Sequence, residues 1–177
     1  MNRRETILQK ALIVFERNTY HQTTINDIAN AANVKRTTIY DYFSSKEKIV
    51  FALFEDMFKN NPILSTSGET LTRLKKLGYQ MLQRTCDNIT LYRLLFESQP
   101  TLSKETIQSL KVWQKPFIEE LNSIFDESTL SLEDANDGKF IFYSLISTRM
   151  SDYILQNKII EPTKDIEQII RIVKRSI

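Results

Sequence analysis

The sequence predicts an all-α protein of about nine helices, with a small N-terminal domain and a larger C-terminal one. Only 3 Gly and 4 Pro occur in 177 residues, whereas a strand-rich fold needs turn residues about every 8–12 positions. Apolar residues recur three and four positions apart along most of the chain, which is the spacing of one helix face. The clearest interruption is the polar segment 60–68, which contains Pro62 and Gly68 and is the best candidate boundary.

The helical spacing also predicts where each helix begins and ends. Thr24 with Asp27, and Ser44 with Glu47, have the spacing of a capping box and therefore start the second and fourth helices. Pro116 lies inside the seventh segment, so that helix is kinked or split in two. The predicted helices are 4–19, 24–31, 35–42, 45–59, 69–86, 89–98, 103–126, 132–156 and 163–176.

Composition excludes several classes of protein. One Cys and one His cannot form an intramolecular disulfide or the common zinc sites. The chain has no glycine-rich phosphate loop and no paired nucleophile and base, so we expect no metal, no cofactor and no enzymatic activity. No apolar run approaches the roughly 18 residues of a membrane span, and the first residues do not resemble a signal peptide. We therefore expect a cytoplasmic protein without membrane contact.

The net charge of +2 comes entirely from the first third of the chain. Residues 1–60 contain 9 basic and 7 acidic side chains, whereas residues 61–177 contain 15 of each. This asymmetry is small, and DNA binding depends on a clustered basic face more than on a total. The charge therefore hints at a nucleic-acid partner for the N-terminal part without establishing one.

The most informative segment is 23–43, where two short helices flank a three-residue turn. Ala29 is small where two helices cross, Asn33 tolerates the left-handed conformation of the turn, and Val34 and Ile39 are apolar where the second helix packs on the first. This pattern is typical of a helix-turn-helix, whose second helix lies in the DNA major groove. Its outward side chains can bond to bases or phosphates, and they are Lys35, Arg36, Thr37, Thr38, Tyr40 and Tyr42.

About 45 residues of this region resemble the DNA-binding domain of the TetR (tetracycline-repressor-like) family of bacterial transcription regulators. The matching pieces include Thr23-Thr24-Ile25, Asp27-Ile28-Ala29, Ala32-Asn33-Val34, Thr38-Ile39-Tyr40, Tyr42-Phe43 and Ser45-Lys46-Glu47. The resemblance implies a three-helix DNA-binding domain over 1–45. It also implies a linking helix and an effector-binding and dimerisation domain over 46–177.

The same resemblance implies roles for individual residues. Thr24, Tyr40 and Lys46 fall on positions that commonly contact phosphates in the family. The base-reading stretch corresponds to Lys35, Arg36, Thr37 and Thr38. Asn33 stands where the family often has Gly.

The C-terminal part supplies candidates for an effector pocket and for a dimer interface. Five large apolar side chains are candidates for lining a pocket, although core packing explains such residues equally well: Phe96, Trp113, Phe117, Tyr143 and Met150. Segment 140–155 is apolar nearly all round, so its helix should be buried on more than one side. Residues 138–177 are therefore expected to form a four-helix homodimer interface; the alternative is that they close a monomeric core.

Together these observations predict a homodimeric repressor that binds a double-stranded DNA operator and is released by an unidentified small-molecule effector. One alternative is a DNA-binding dimer that responds to no ligand. A less favoured alternative is a small helical enzyme or carrier, which would need catalytic groups that the sequence does not show.

Overall fold

The computed structural model describes residues 2–156 and 158–177, and all regular secondary structure in these residues is helical. Ten α-helices and one short 3₁₀-helix follow one another along the chain. Their bounds are α1 Arg3–Arg17, α2 Ile25–Ala31, α3 Arg36–Tyr42, α4 Lys46–Asn60, α5 Thr70–Asp87, α6 Ile89–Ser98, the 3₁₀-helix Gln99–Thr101, α7 Lys104–Val112, α8 Lys115–Asp126, α9 Leu132–Gln156 and α10 Pro162–Val173. The all-α prediction is confirmed.

The structure contains ten α-helices where about nine were predicted, because segment 103–126 is split. Helix α7 ends at Val112 and α8 begins at Lys115 with a proline in its first turn. A proline is tolerated there because the first amides of a helix have no partner inside it. Of the two alternatives that Pro116 left open, a kink or a split, the split is therefore observed.

Of the two predicted capping boxes, the one at the start of α2 is present, whereas the prediction that Ser44 and Glu47 form one at the start of α4 is wrong. Thr24 and Asp27 cap α2 reciprocally. Helix α4 is instead capped one residue later than predicted, because the Lys48 amide donates to Ser45 Oγ at 3.2 Å. The Glu47 carboxylate is then available for a different contact, with the N-terminus of α7.

The helices form two units that are not continuous in sequence. The first runs to Asn60 and resumes over Asn88–Trp113, so it contains α1–α4, α6 and α7. Its buried side chains come from one face of each helix, as the helical spacing predicts. The largest of those that are fully buried are Ile7, Ile28, Ile39, Ile49 and Phe54.

The second unit consists of Asn61–Asp87 and Gln114–Ile177, and it contains α5 and α8–α10. Its core includes Leu74, Leu77, Leu82, Ile124, Phe142, Ile146 and Ile166. Gly78 allows α5 to approach α10 closely, because a Cβ at this position would overlap Ile166 Cδ1. Position 78 therefore requires glycine for packing.

A buried arginine joins three segments of the second unit. Arg73 of α5 is 7% exposed and donates to Glu120 Oε1 at 3.3 Å, Glu127 Oε2 at 2.7 Å and Ser123 Oγ at 3.0 Å, all on or next to α8. Thr66 donates to the same Glu120 oxygen through its amide at 2.9 Å and its hydroxyl at 2.6 Å. This network fixes the segment before α5 to α5 and α8.

A second ion pair links α9 to α10. Arg149 Nη2 lies 2.9 Å from Asp165 Oδ1 and also donates to the Ile159 carbonyl at 2.9 Å. Asp165 is buried and caps the start of α10 by accepting from the Glu161 amide at 2.7 Å. Arg149, whose side chain is 29% exposed, therefore supplies the cation for the buried Asp165 carboxylate.

Candidate nucleic-acid interface

Helices α2 and α3 form the helix-turn-helix that the sequence predicts. The turn between them contains Asn33 with φ 53°, the left-handed conformation, and the Val34 amide donates to the Ala29 carbonyl at 3.0 Å. Ile39 is fully buried and fixes α3 on the other helices of the unit. Lys35 is the N-cap of α3 and provides no side-chain cap, so packing rather than capping sets where this helix begins.

We expect Asn33→Val to lower the free energy of unfolding by about 1–2 kcal/mol, because a β-branched residue strongly disfavours positive φ. Asn33→Gly should be neutral or slightly stabilising. Urea unfolding monitored by circular dichroism measures both. Asn30→Val is the matched control, since Asn30 is exposed in α2. Equal losses for the two valine variants would show that the left-handed turn is not the cause.

The outward face of α3 carries most of the residues predicted to contact DNA. Lys35, Arg36, Thr37, Tyr40 and Tyr42 are exposed. Thr38, which was also predicted to contact DNA, is half-buried. The side chains are therefore available at the surface, and only Thr38 has limited reach.

Arg36 and Tyr40 form a pair on this face. Arg36 Nη2 donates to the Tyr40 hydroxyl at 3.1 Å, and the guanidinium carbon lies 5.5 Å from the centroid of the Tyr40 ring. The two residues are four apart, so they lie one above the other on the helix. Tyr40 can thus orient the guanidinium, whose fork of donors matches the O6 and N7 acceptors of guanine.

Thr24 lies at the start of α2 with its hydroxyl already bonded. Its Oγ1 donates to Asp27 Oδ2 at 2.7 Å, and the Thr24 amide donates to the same oxygen at 2.8 Å. These hydrogen bonds from Thr24 lower the pKa of the Asp27 carboxyl. Both side chains are exposed, so a phosphate contact by Thr24 would have to share this end of the helix with a carboxylate.

Lys46 lies at the start of α4 and contacts the loop between α1 and α2. Its ammonium donates to the carbonyls of Tyr20 at 2.6 Å and Thr23 at 2.8 Å and lies 4.1 Å from the centroid of the Tyr20 ring. Burial lowers the pKa of this amine. Two of the three donors of the ammonium are therefore used within the unit, which leaves one for a phosphate.

Glu97 of α6 also contacts this loop, and no sequence motif indicates that it does. The Tyr20 amide donates to Glu97 Oε2 at 2.8 Å, and His21 Nε2 lies 3.1 Å from the Glu97 carbonyl oxygen. Glu47 of α4 accepts from the amide and hydroxyl of Ser103 at 3.1 and 2.8 Å. These contacts join residues 56–77 positions apart in sequence, and no local pattern signals them.

The five candidates for an effector pocket do not form one cluster. Phe96 and Trp113 belong to the first unit, whereas Phe117, Tyr143 and Met150 belong to the second. Phe117 and Tyr143 are neighbours, with ring centroids 6.2 Å apart, and Trp113 stacks on Phe58 of α4. Two open clefts of the second unit, of about 600 and 500 Å³, are lined by other residues.

The described part of the chain contains neither a candidate metal-binding cluster nor a helix that could span a membrane. No group of three or more His, Cys, Asp or Glu side chains within residues 2–156 and 158–177 could hold a metal ion. None of the helices in these residues combines the length and the hydropathy needed to cross a membrane.

Comparison with known proteins identifies the N-terminal region. Residues 7–53 match the family model for bacterial regulatory proteins of the tetR family, and these residues include the whole helix-turn-helix and the start of α4. This N-terminal region is thus similar to the DNA-binding region of the tetR family. The resemblance inferred from the motifs is thereby confirmed.

Curated relatives match over short stretches of the chain, 50 to 64 residues long. The fatty acid metabolism regulator protein of Bacillus subtilis is 42% identical over 50 residues, which are 28% of this chain and 26% of that protein. Matched stretches cover 26–34% of the length of the curated relatives. This chain therefore shares a matched stretch with only about a quarter to a third of the length of these relatives.

Several solved structures match nearly the whole fold. FadR from Bacillus subtilis in complex with stearoyl-CoA superposes with a TM-score of 0.72 at 19% identity, covering 98% of both chains. AibR in complex with isovaleryl coenzyme A and operator DNA gives 0.74 at 15% identity, covering 97% of both. At such identities the similarity establishes the fold, including the C-terminal helices that the family model does not cover.

Proposed function

We propose that the protein is a sequence-specific DNA-binding transcriptional regulator, a repressor released from its operator by a small-molecule effector. The observation that carries the proposal is the exposed face of α3, where Tyr40 holds the Arg36 guanidinium at hydrogen-bond distance. Similarity to the tetR family supports the same conclusion. The protein would then act where chromosomal DNA is, in the cytoplasm, and without enzymatic activity.

We propose residues 1–45 as the DNA-binding domain and 46–177 as the linking helix with the effector-binding and dimerisation domain. The proposed contacts to DNA are those of Thr24, Tyr40 and Lys46 to phosphates and of the α3 side chains to bases. A homodimer would present two copies of α3 to successive major grooves, about 34–36 Å apart, and would read a near-palindromic operator.

The dimer interface is proposed to lie within residues 138–177. Helix α9 presents an outer stripe at spacings of four, three, four and four residues, consisting of Phe140, Ser144, Ser147, Ser151 and Leu155. Phe140 and Leu155 are exposed, whereas Phe142 and Ile146 on the opposite side are buried in the core. Small serines between two large apolar residues permit another helix to approach closely. This outer side of α9 is the part available to a partner subunit.

Effector control is proposed to act through α4, and the contacts within the first unit support this route. Lys46 of α4 and Glu97 of α6 both bond to Tyr20 in the loop that precedes α2. A shift of α4 or α6 would therefore displace this loop and with it the helix-turn-helix. The effector must bind the released state more tightly than the DNA-bound state, and the coupling is reciprocal.

Acyl-CoA thioesters are the effector class that we propose to test first. FadR and AibR, which share the fold over nearly the whole chain, were solved with stearoyl-CoA and isovaleryl coenzyme A. The relative that is 42% identical over 50 residues is named a fatty acid metabolism regulator protein. These similarities make thioesters the first class to screen.

The deciding experiment is binding of the purified protein to the DNA upstream of its own gene, at two salt concentrations and with competitor DNA. Saturable, salt-sensitive and sequence-specific binding as a dimer would support the proposal. If neither upstream DNA nor a selection from genomic fragments yields a specific site, the proposal is wrong.

Once the operator is known, Arg36→Ala should weaken binding by about 1–3 kcal/mol and relax specificity at one base pair. Tyr40→Ala should also weaken binding, because it removes the group that orients Arg36. Fluorescence anisotropy on the operator and on single-base variants measures both effects. Lys75→Ala is the control, since it removes one exposed positive charge of the second unit. Unchanged operator affinity in both α3 variants would rule out this helix as the recognition helix.

A further inference from the structure

Trp113 has a buried donor without an acceptor. It is the only tryptophan of the chain, and it is the C-cap of α7. Its Nε1 atom is buried and has no hydrogen-bond partner among the residues that the structure describes. Native proteins rarely leave a buried N–H unpaired, and each such group calls for an explanation. One explanation that can be tested is that a bound molecule supplies the acceptor.

The orientation of this donor is fixed by an aromatic row on α4. The indole lies parallel to the Phe58 ring, with centroids 5.6 Å apart and planes inclined by 5°. Phe58 in turn lies 6.5 Å from Phe54, which is fully buried. All three rings belong to the first unit. Because the row is anchored in the core, Nε1 is a pre-oriented donor, as recognition of a ligand requires.

The chemistry around the donor selects the kind of acceptor. An indole N–H is neutral and only donates, and the indole ring stacks on the apolar ring of Phe58. A carboxylate at such a place would lose its hydration without gaining a cation. A neutral carbonyl oxygen on an apolar molecule, as in a thioester, ester or amide, needs only the single hydrogen bond that Trp113 offers.

We propose that Trp113 is a recognition residue for the effector, donating a hydrogen bond from Nε1 to a carbonyl oxygen carried on an apolar body. The proposal rests on the proposed function, since it requires that an effector binds. It adds the chemical class of the recognised group and the residue that reads it. It also adds a direct route to α4, because the ring on which Trp113 stacks belongs to that helix.

The single tryptophan provides the test. In the full-length ¹⁵N-labelled protein, one indole N–H signal is expected in the proton–nitrogen correlation spectrum. Isovaleryl-CoA and stearoyl-CoA are the thioester probes, and isovalerate, stearate and free coenzyme A are the controls. We expect the thioesters to shift the indole proton downfield and to slow its exchange with solvent. The free acids and coenzyme A should do neither.

Two replacements at position 113 test the hydrogen bond itself. Trp113→Phe and replacement by 3-benzothienylalanine, which keeps the bicyclic shape without the N–H, should each weaken thioester binding about tenfold by calorimetry. Val112→Ala, at an exposed neighbouring position, is the matched control. The benzothienyl variant keeps the test valid should the phenylalanine variant pack poorly.

Four results would overturn the inference. A thioester could bind while the indole signal stays unchanged, or bind equally well to the benzothienyl variant. A further such result is that none of the probes binds to the protein. A crystal structure of the complex could instead show an ordered water on Nε1. Operator binding is measured on the same preparation, so a failed regulator assignment is recognised separately as absent specific DNA binding.

Discussion

Arg73→Met should lower the free energy of unfolding by about 3–5 kcal/mol at neutral pH. The substitution keeps an unbranched side chain of similar length but leaves Glu120, which is 8% exposed, as a buried carboxylate without its cation. Two hydrogen bonds from Thr66 remain, and they cannot replace a charge. Urea unfolding at several protein concentrations, to separate dissociation from unfolding, measures the loss.

The double variant Arg73→Met with Glu120→Gln is the informative control. It removes both charges, so much of the stability lost in the single variant should return. Glu127→Gln tests the exposed partner of Arg73 and should have a small effect, since exposed ion pairs contribute little. If the double variant is no more stable than Arg73→Met, the loss is due to packing and not to the unpaired carboxylate.

The pH dependence of the unfolding free energy tests the same interaction between Arg73 and Glu120. Burial raises the pKa of Glu120, but the hydrogen bonds from Thr66 and the Arg73 guanidinium outweigh it and hold this pKa below its ordinary value. A lowered folded-state pKa stabilises the fold above the unfolded-state pKa, and this stabilisation is lost as pH falls through the folded-state value. Arg73 contributes to this lowering, so Arg73→Met should have a higher folded-state pKa at Glu120. The difference in unfolding free energy between wild type and Arg73→Met should therefore narrow on acidification.

Phe140→Glu should weaken the proposed dimer by about 4 kcal/mol, because a two-fold interface loses an aromatic anchor of about 2 kcal/mol from each subunit. The ring is 73% exposed in the single chain, so the fold itself should tolerate the change. Sedimentation equilibrium measures the dissociation constant. Operator affinity should fall with it, since a monomer contacts one half-site only.

Leu132→Glu is the matched control for this variant. Leu132 is 80% exposed and lies on the same helix, but it precedes the proposed interface. Its substitution should leave the dimer intact, and an acidic residue at a helix N-terminus is favourable. Equal weakening by both substitutions, or by neither, would place the interface elsewhere.

The helices of this protein could be predicted because their signals are local. Periodicity, the Thr24–Asp27 cap and the turn at Asn33 each involve residues within a few positions of one another. Capping of α4 was predicted one residue early because Ser44 and Ser45 are both suitable caps. The bonds of Glu47 and Glu97 depend on residues far along the chain, which spacing alone does not reveal.

Burial of charge was harder to predict than burial of apolar residues. Arg73 precedes Leu77 by four positions, so it occupies the apolar stripe of α5, and this is the one local sign that it is buried and paired. Large apolar residues are readily predicted to be buried, but the sequence does not show whether they pack in the core or line a pocket, because both use the same residue types. Phe117 is thus buried in the core of the second unit, whereas Trp113 carries an unpaired donor in the first.

The chain order of the two units has a consequence for dissecting the protein. The backbone passes from one unit to the other three times, after Asn60, Asp87 and Trp113. A truncation at Asn60 would therefore remove α6 and α7 from the unit to which they belong, and would take Glu97 away from Tyr20. A single proteolytic cut in segment 61–69 would leave α6 and α7 covalently joined to the second unit, and α1–α4 would then be held to α6 and α7 by packing and hydrogen bonds alone. The helix-turn-helix therefore cannot be isolated together with all the helices of its own unit by one cut in the chain.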